Sequence, residues 1–379
     1  MTAKAPPAST DHPARHADLD TPSLVLDLDA LERNIRLMAD HAKARKIRLR
    51  PHAKTHKSVE IGRLQMTAGA VGLCCAKLGE AEVLAGAGLQ RLLITSPLVG
   101  DRKLDRLIAL HKATDEIIAV TDAPGQLAPL ATRAEAASRP LPVLIDLDVG
   151  LHRTGITTTD AAVALARQIS EHRSLRFLGV QGYAGQVQHI ESLAERQQAA
   201  ATAANRIRDP VSALKAAGFA CEIVTGGGTG TFDIDPGFDL FTDLQVGSYV
   251  FSDVEYDAVA LGRSAAHPFD NALFVLAQVV SANHDTFVTI DAGSKSFSMD
   301  GPLPRVVAPG GGALVYAPFG DEFGRISREG GSVDLALGER VLCVVPHCDP
   351  TINMHDSYVC VRGGRLVETW PIQARGAAA

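Results

Sequence analysis

A recurrence restricts the fold more than any other feature of the sequence. Eight short β-rich runs follow one another: residues 47–50 (IRLR), 71–76 (VGLCCA), 92–96 (LLITS), 117–121 (IIAVT), 142–148 (PVLIDLD), 177–183 (FLGVQGY), 222–228 (EIVTGGG) and 243–251 (DLQVGSYVF). Between them lie amphipathic stretches such as Lys57 to Thr67, Gly79 to Ala87, Asp160 to His172 and Ile190 to Ala217, each long enough for a crossover helix. Eight β/α units over roughly 200 residues fit a closed (β/α)8 TIM-type barrel, an α/β fold whose active-site groups sit at the C-terminal ends of the strands. An open doubly wound sheet is the alternative that strand counting leaves open.

The flanking segments differ in texture. The first 20 or so residues are Ala, Pro, His and Asp without periodicity and read as a loose arm. Residues 23–28 (SLVLDL) read as a strand, and Asp29 is placed to cap a helix with Leu31, Ile35, Met38 and Ala42 on one face. Beyond about residue 260, alternating β-rich runs follow with hardly a helix between them: 272–282, 285–293, 340–347, 356–361 and 365–372. The RGGR at 362–365 is a hairpin signal. The chain therefore reads as a barrel over 29–260 and an all-β second domain built from 1–28 and 261–379. Two domains suit 379 residues at about 150 per domain.

Composition narrows the partners. Lys plus Arg is 37 against 43 Asp plus Glu, and the net charge of -6 gives no general attraction to nucleic acid or to an anionic membrane surface. No stretch reaches the ~18 uncharged apolar residues of a membrane span, and MTAKAPPASTDHPARHADLD lacks the apolar core of a signal peptide. The expected compartment is the cytoplasm. Six cysteines without a CxxC pair are too sparse for a disulfide framework and read as reduced thiols.

The strand ends carry the chemistry. The first barrel strand runs into PHAKTHKS, which places Lys54 where a barrel displays reactive groups. Asp146 and Asp148 precede VGLHRTG, which sets Arg153 in a glycine-flanked turn after the fifth strand. After the seventh comes TGGGTG, residues 225–230, and after the eighth QVGSYV, where Gly247 and Ser248 can present amides. Glycine-rich turns offer backbone N–H groups that converge on an anion. Each turn alone is weak, since such turns close many barrels with nothing bound. Together they describe a phosphate cradle facing a lysine across a barrel mouth, the arrangement that pyridoxal 5'-phosphate (PLP) requires.

TPSLVLDLDALERNI, the lysine after the first barrel strand, HRTG, TGGGTGT and QVGSYVF together resemble the fold-type III PLP enzymes, the alanine racemase-like group. Within it, PHAKTHKS and the late PHCDP look like the D-threonine aldolase and D-serine dehydratase branch. The resemblance runs from Leu19 to Ile372. It implies that Lys54 carries the cofactor as an internal aldimine, that Arg153 lies near the phenolic oxygen and that Tyr183 lines the ring. It further implies that Gly226, Gly227, Gly228 and Thr229 hold the phosphate with Gly247 and Ser248, and that the protein is a homodimer. Alanine racemases place an arginine opposite the pyridine nitrogen, where this chain has Gln245. A neutral amide can hydrogen-bond that nitrogen whether or not it is protonated, so racemization does not follow from the fold.

His347 and Asp349 are one residue apart between Pro346 and Pro350, and on an extended segment both side chains point one way while Cys348 points the other. Alone, such a pair is more often a surface hydrogen bond. The resemblance implies that it binds a divalent metal. The dehydratase branch has His-x-Cys there, which suits zinc, whereas imidazole with carboxylate favours manganese or magnesium. His189, six residues after Tyr183, could serve as the base for a substrate hydroxyl; the alternative is a surface or helix-start histidine. Asp321 is a further pocket candidate, with a surface loop equally open. The resulting expectation is an enzyme, a PLP- and metal-dependent D-threonine aldolase (an aldehyde-lyase) acting on β-hydroxy-D-amino acids. A dehydratase of D-serine or D-3-hydroxyaspartate type and a non-catalytic PLP-binding regulatory protein are the alternatives.

Overall fold

The computed structural model describes His16 and residues 19–262, 267–307, 314–328 and 330–379. Most of the expected N-terminal arm lies outside the described residues. Contacts divide the chain into two compact units, one of Met1–Asn34, Val250–Ala258 and Phe269–Ile372, the other of Ile35–Tyr249, Val259–Pro268 and Gln373–Ala379.

Strand β1 (Ser23–Asp27) leads directly into helix α1 (Leu28–Arg45). The cap of that helix is Asp27 rather than the expected Asp29: its Oδ1 accepts the backbone N–H groups of Asp29 at 2.9 Å and Ala30 at 3.1 Å. The helix starts one residue before the expected cap, so Asp29 falls inside its first turn.

The larger unit holds eight parallel strands: β2 (Arg48–Leu49), β3 (Leu73–Cys75), β4 (Leu92–Ile94), β5 (Ile117–Thr121), β6 (Leu141–Asp146), β7 (Leu175–Gly182), β8 (Ile223–Gly226) and β9 (Asp243–Leu244). They follow the spatial order β2-β9-β8-β7-β6-β5-β4-β3. The ends of that order meet, because Val71 N–H donates to Leu49 O at 2.9 Å, Cys74 N–H donates to Pro51 O at 2.8 Å and His52 bridges Cys74 in parallel. The ring is therefore closed, as the recurrence predicts, and the open sheet is excluded. Helices α2 (Val59–Thr67), α3 (Leu78–Gly86), α4 (Asp101–Ala113), α5 (Leu127–Ala134), α6 (Thr159–Glu171) and α7 (Leu193–Ala216) form the crossovers. Between β8 and β9 there are only 3-10 turns, Thr229–Thr231 and Asp235–Phe238, where the glycine-rich sequence offers no helical face.

Strand alternation sorts the apolar residues into two layers. Cys74, Leu93, Ile118, Val120, Leu144, Leu178 and Ile223 form one buried cluster, while their neighbours Leu73, Leu92, Ile117, Ala119, Val143 and Val224 join a larger cluster with helix residues such as Leu107, Leu165 and Ile169. The first set fills the ring and the second seals strands to helices, because successive side chains on a strand face opposite ways.

The other unit carries helix α8 (Val254–Asp257), strands β10 (Leu273–His284), β11 (Phe287–Ile290), β12 (Arg305–Val307), β13 (Leu314–Pro318), β14 (Gly324–Arg328) and β15 (Arg340–Val344), helix α9 (Cys348–Ile352), and strands β16 (Ser357–Arg362) and β17 (Arg365–Pro371). Its sheet runs β11-β14-β13-β12-β15-β10-β1-β16-β17, and an added β10–β11 pairing closes six antiparallel strands on themselves. The second domain is thus the all-β body expected. Gly363 and Gly364 both take positive φ, 51° and 73°, in the β16–β17 turn that RGGR foretold. No disulfide joins any of the six cysteines.

The turn after β2 is held by a buried ion pair. Lys57, in the left-handed region at φ 50°, reaches Glu80 on α3 at 2.6 Å, and the second Glu80 oxygen accepts the N–H groups of Ala76 and Lys77 at 2.7 and 3.2 Å. Both side chains are nearly inaccessible, 9% and 3% exposed, so loss of one charge strands the other in the interior. Glu80→Gln should cost about 3 kcal/mol, read from the urea midpoint. A loss below about 1 kcal/mol would mean that the pair is solvent-screened.

Candidate active site

The parity that fills the ring with Leu93, Val120, Leu144 and Ile223 places polar residues two positions further along, at the C-terminal ends of the same strands: Thr95, Asp122, Asp146 and Thr225. Gln181 reaches this layer through an irregularity at Gly179, whose φ of 140° and close approach to Ile223 O would leave no room for a side chain. These groups bond to one another. Gln181 Nε2 donates to Asp146 Oδ1 at 2.9 Å and to the Thr95 carbonyl at 3.0 Å, and Thr154 Oγ1 donates to Asp146 Oδ2 at 2.7 Å. Gln245, on the segment leaving β9, donates through Nε2 to Gln181 Oε1 at 3.2 Å and to Thr225 Oγ1 at 3.3 Å. Burial raises the Asp146 carboxyl above the usual carboxylate range, against the hydrogen bonds from Thr154 and Gln181.

Lys54 sits in the single 3-10 turn Ala53–Thr55 after β2. Its backbone N–H donates to His52 Nδ1 at 3.4 Å. The His52 Nε2 faces Thr95 Oγ1 at 3.2 Å, while that hydroxyl donates to Cys75 O. The hydroxyl proton is therefore spent, so Nε2 carries the histidine proton and Nδ1 accepts. Of the lysines in PHAKTHKS, Lys57 is the one fixed by Glu80, and Lys54 is half-buried among buried neighbours.

The glycine turns singled out in the sequence present unmatched backbone donors. The backbone N–H groups of Gly227, Thr229, Gly247 and Ser248 meet no acceptor among the described residues, although Gly227 and Thr229 are buried. Buried amides are rarely left unmatched, so a set of four on adjacent turns fits an anionic oxygen group. The remaining members have protein partners that shape the loop. Gly228 N–H donates to Thr231 Oγ1 at 3.3 Å and Gly230 N–H to Gln188 Oε1 at 2.9 Å. Gly226 closes β8, and a Cβ there would lie 2.2 Å from Gly182 O. At Gly247 a Cβ would meet Thr55 Oγ1 at 2.5 Å, so the cradle turn is packed against the lysine turn. The phosphate of PLP fits this donor set.

Arg153 lies on an exposed turn with its guanidinium 5.8 Å from the centre of the Tyr183 ring, and both line one cavity with Asp146, Thr154 and Gln181. His189 is exposed on the turn after the short helix Gly185–Val187. Its neighbour Gln188 is the buried prop of the glycine loop, bonded to Gly230, Ala184 and Thr231.

The proposed metal segment belongs to the β-rich unit. His347 is extended, at φ -140° and ψ 118°, but Asp349 sits in the first turn of α9, so the pair spans a helix start instead of lying on a strand. Pro350 is compatible with that first turn, and Thr351 Oγ1 donates back to His347 O at 2.7 Å. His347 Nδ1 lies 3.1 Å from Asp300 Oδ2 and 3.9 Å from Glu255 Oε2. Cys348 is fully buried, its N–H donating to Asp253 Oδ2 at 2.8 Å, and burial pushes Asp253 up to about 6. One imidazole among carboxylates is a donor set that suits a hard divalent ion. Among the described residues, no three His, Cys, Asp or Glu groups already stand as a ready metal cluster. Asp321 is exposed, its Oδ1 accepting from Ser294 Oγ at 3.3 Å.

The profile of the alanine racemase N-terminal domain matches residues 26–254, and that of a putative serine dehydratase domain matches residues 272–361. The chain is 38% identical to the 3-hydroxy-D-aspartate aldolase of Paracoccus denitrificans (strain Pd 1222) over 95% of this chain and 93% of that protein. It is equally 38% identical to the D-threonine aldolase of an Arthrobacter species, over 98% and 96%. This chain belongs to the alanine racemase-like fold-type III family. A crystal structure of D-threonine aldolase from Filomicrobium marinum superposes with a TM-score of 0.92 at 39% identity, covering 96% of this chain and 98% of that one.

For this fold-type III chain, sequence motifs singled out the glycine turns and Lys54 but passed over Gln181, Gln188, Thr95, Asp122 and Asp235. The parity of the inner strand face could have found Thr95, Asp122 and Asp146. Nothing in the sequence marks Gln188. Asp235 lies beneath the glycine loop, fully buried, with Thr231 Oγ1 donating to its Oδ2 at 2.5 Å. Burial pushes this carboxyl up to about 7, with Asp233 adding to the rise and the Thr231 bond opposing it. An unfolded aspartate loses its proton near pH ~4, so between there and about 7 the folded state binds the extra proton and stability falls as pH rises. Comparing urea midpoints at about pH 5 and about pH 8, the wild type should lose more stability than Asp235→Asn; equal losses would place the carboxyl in contact with water.

Proposed function

We propose that this chain is an aldolase that splits the Cα–Cβ bond of D-threonine and related β-hydroxy-D-amino acids into glycine and an aldehyde, using PLP and a divalent metal. The observation that carries the reading is full-length 38% identity to two aldolases of such substrates, joined to an anion cradle beside Lys54. PLP, when bound, supplies the electron sink that makes a carbanion at Cα accessible. A manganese or magnesium ion on His347 and Asp349 supplies a Lewis acid that makes the substrate hydroxyl more acidic.

The chain's own groups divide the remaining tasks. The amides of Gly227, Thr229, Gly247 and Ser248 would anchor the phosphate, Gly226 and Gly228 keep the loop close, and Lys54 would hold the aldehyde carbon. With PLP bound, Arg153 would lie near its phenolic oxygen, Tyr183 would line its ring and Gln245 would face its nitrogen. His189 takes the β-hydroxyl proton as Cα–Cβ cleaves. Domains 29–260 and 261–379 with 1–28, a homodimeric assembly and a cytoplasmic location complete the reading.

The match of residues 272–361 to a putative serine dehydratase domain supports a second reading, dehydration. The two differ in where the hydroxyl oxygen goes: aldol cleavage retains it in the aldehyde, whereas dehydration expels it and requires removal of the Cα proton. Aspartate where the dehydratase branch carries cysteine favours a labile, hydrated metal over zinc and hence the aldolase. Treatment with a chelator should abolish formation of glycine and acetaldehyde from D-threonine, and manganese or magnesium should restore it. His347→Ala or Asp349→Ala should raise the metal concentration required at least about tenfold. Full cleavage by the chelated protein, or 2-oxobutanoate as the main product, overturns the aldolase reading.

A further inference from the structure

The polar layer at the barrel mouth fixes the direction of one amide. Gln181 has two N–H protons, and both are committed: one to Asp146 Oδ1, the other to the Thr95 carbonyl, which can only accept. Its Oε1 is therefore the atom that faces Gln245, and the Gln245 atom opposite must be Nε2. The second Nε2 proton goes to Thr225 Oγ1. An exchange of N and O at either amide would set two acceptors or two donors against each other, so the assignment follows from the chain of partners. The Gln245 Oε1 is left, on a residue only 3% exposed, without a hydrogen-bond donor among the described residues. It stands two residues before Gly247, whose amide belongs to the anion cradle.

A carbonyl oxygen in this position accepts and cannot donate. We propose that Gln181, held by Asp146 and Thr95, is a positioning residue that forces Gln245 to present an acceptor to the cofactor ring, so that the pyridine nitrogen is bound in its protonated form. The proposal rests on the reading that PLP occupies this site with its nitrogen toward Gln245. An unprotonated nitrogen there would set its lone pair against the carbonyl oxygen, whereas a protonated nitrogen donates to it. The sequence alone leaves both choices to a glutamine; the partners behind it remove one. A protonated ring is the stronger electron sink, which matches carbon–carbon cleavage.

The test is nitrogen NMR of the holoenzyme reconstituted with PLP carrying 15N in the ring. In the wild type the ring resonance should lie upfield, at the protonated position, and stay there from about pH 6 to about pH 8. Gln181→Leu frees the Gln245 amide to turn, so the resonance should move downfield or become pH-dependent. Gln245→Glu, which keeps an acceptor, should hold it upfield. A wild-type resonance at the unprotonated position overturns the proposal even if Gln181→Leu fails to fold, and so does a Gln181→Leu spectrum identical to wild type. Failure of the underlying reading has a different signature: the purified protein would retain no PLP after dialysis and give no bound ring signal at all, and the proposal would fall with it.

Discussion

The pairing of β2 with β9 is the interaction on which the site depends. Arg50 N–H donates to Leu244 O and His52 N–H to Val246 O, both at 2.9 Å, so the two strands leave the ring side by side. One then enters the turn that carries Lys54, and the other the turn that carries Gly247 and Ser248. The contact is close enough that Gly247 has no space for a Cβ beside Thr55. On the far side of β9, Gln245 N–H donates to Gly226 O at 2.8 Å and draws in the turn after β8. A lysine and two sets of amides separated by some 190 residues of sequence thereby become neighbours through three adjacent strands.

The same ring sets a polar layer directly above an apolar one. Leucine, isoleucine and valine fill its lower layer, and the residues two positions along each strand turn polar at the top. Each of these polar groups is matched by another, as Asp146 is by Thr154 and Gln181, which limits the cost of burying them. Among the described residues, the amides of Gly227, Thr229, Gly247 and Ser248 and the Gln245 carbonyl oxygen are left over.

Much of this was legible in the sequence because it follows from periodicity and turn chemistry. Eight β-rich runs, their spacing and the glycine turns gave the ring, and RGGR gave the β16–β17 hairpin. Three things were not legible. The choice of Asp27 over Asp29 as cap depended on a helix boundary that shifts by a residue without changing the apolar face. The conformation at His347 depended on Thr351 and Pro350 turning the chain into α9, a local competition that an HxD pattern does not reveal. The role of Gln181 and Gln188 came from partners that lie far apart in sequence, with Gln181 on Asp146 and Thr95, and Gln188 on Gly230, and no motif records such pairings.

The segment PHAKTHKS contains two lysines: Lys57 is committed to Glu80, and Lys54, in the turn Ala53–Thr55, is the one proposed to hold the cofactor. Borohydride reduction of the holoenzyme, followed by mass mapping of its peptides, tests this most directly. The account predicts a phosphopyridoxyl group on Lys54 and none on Lys57. The same mass on Lys57, on another lysine, or on no lysine of a protein that retains PLP would contradict it.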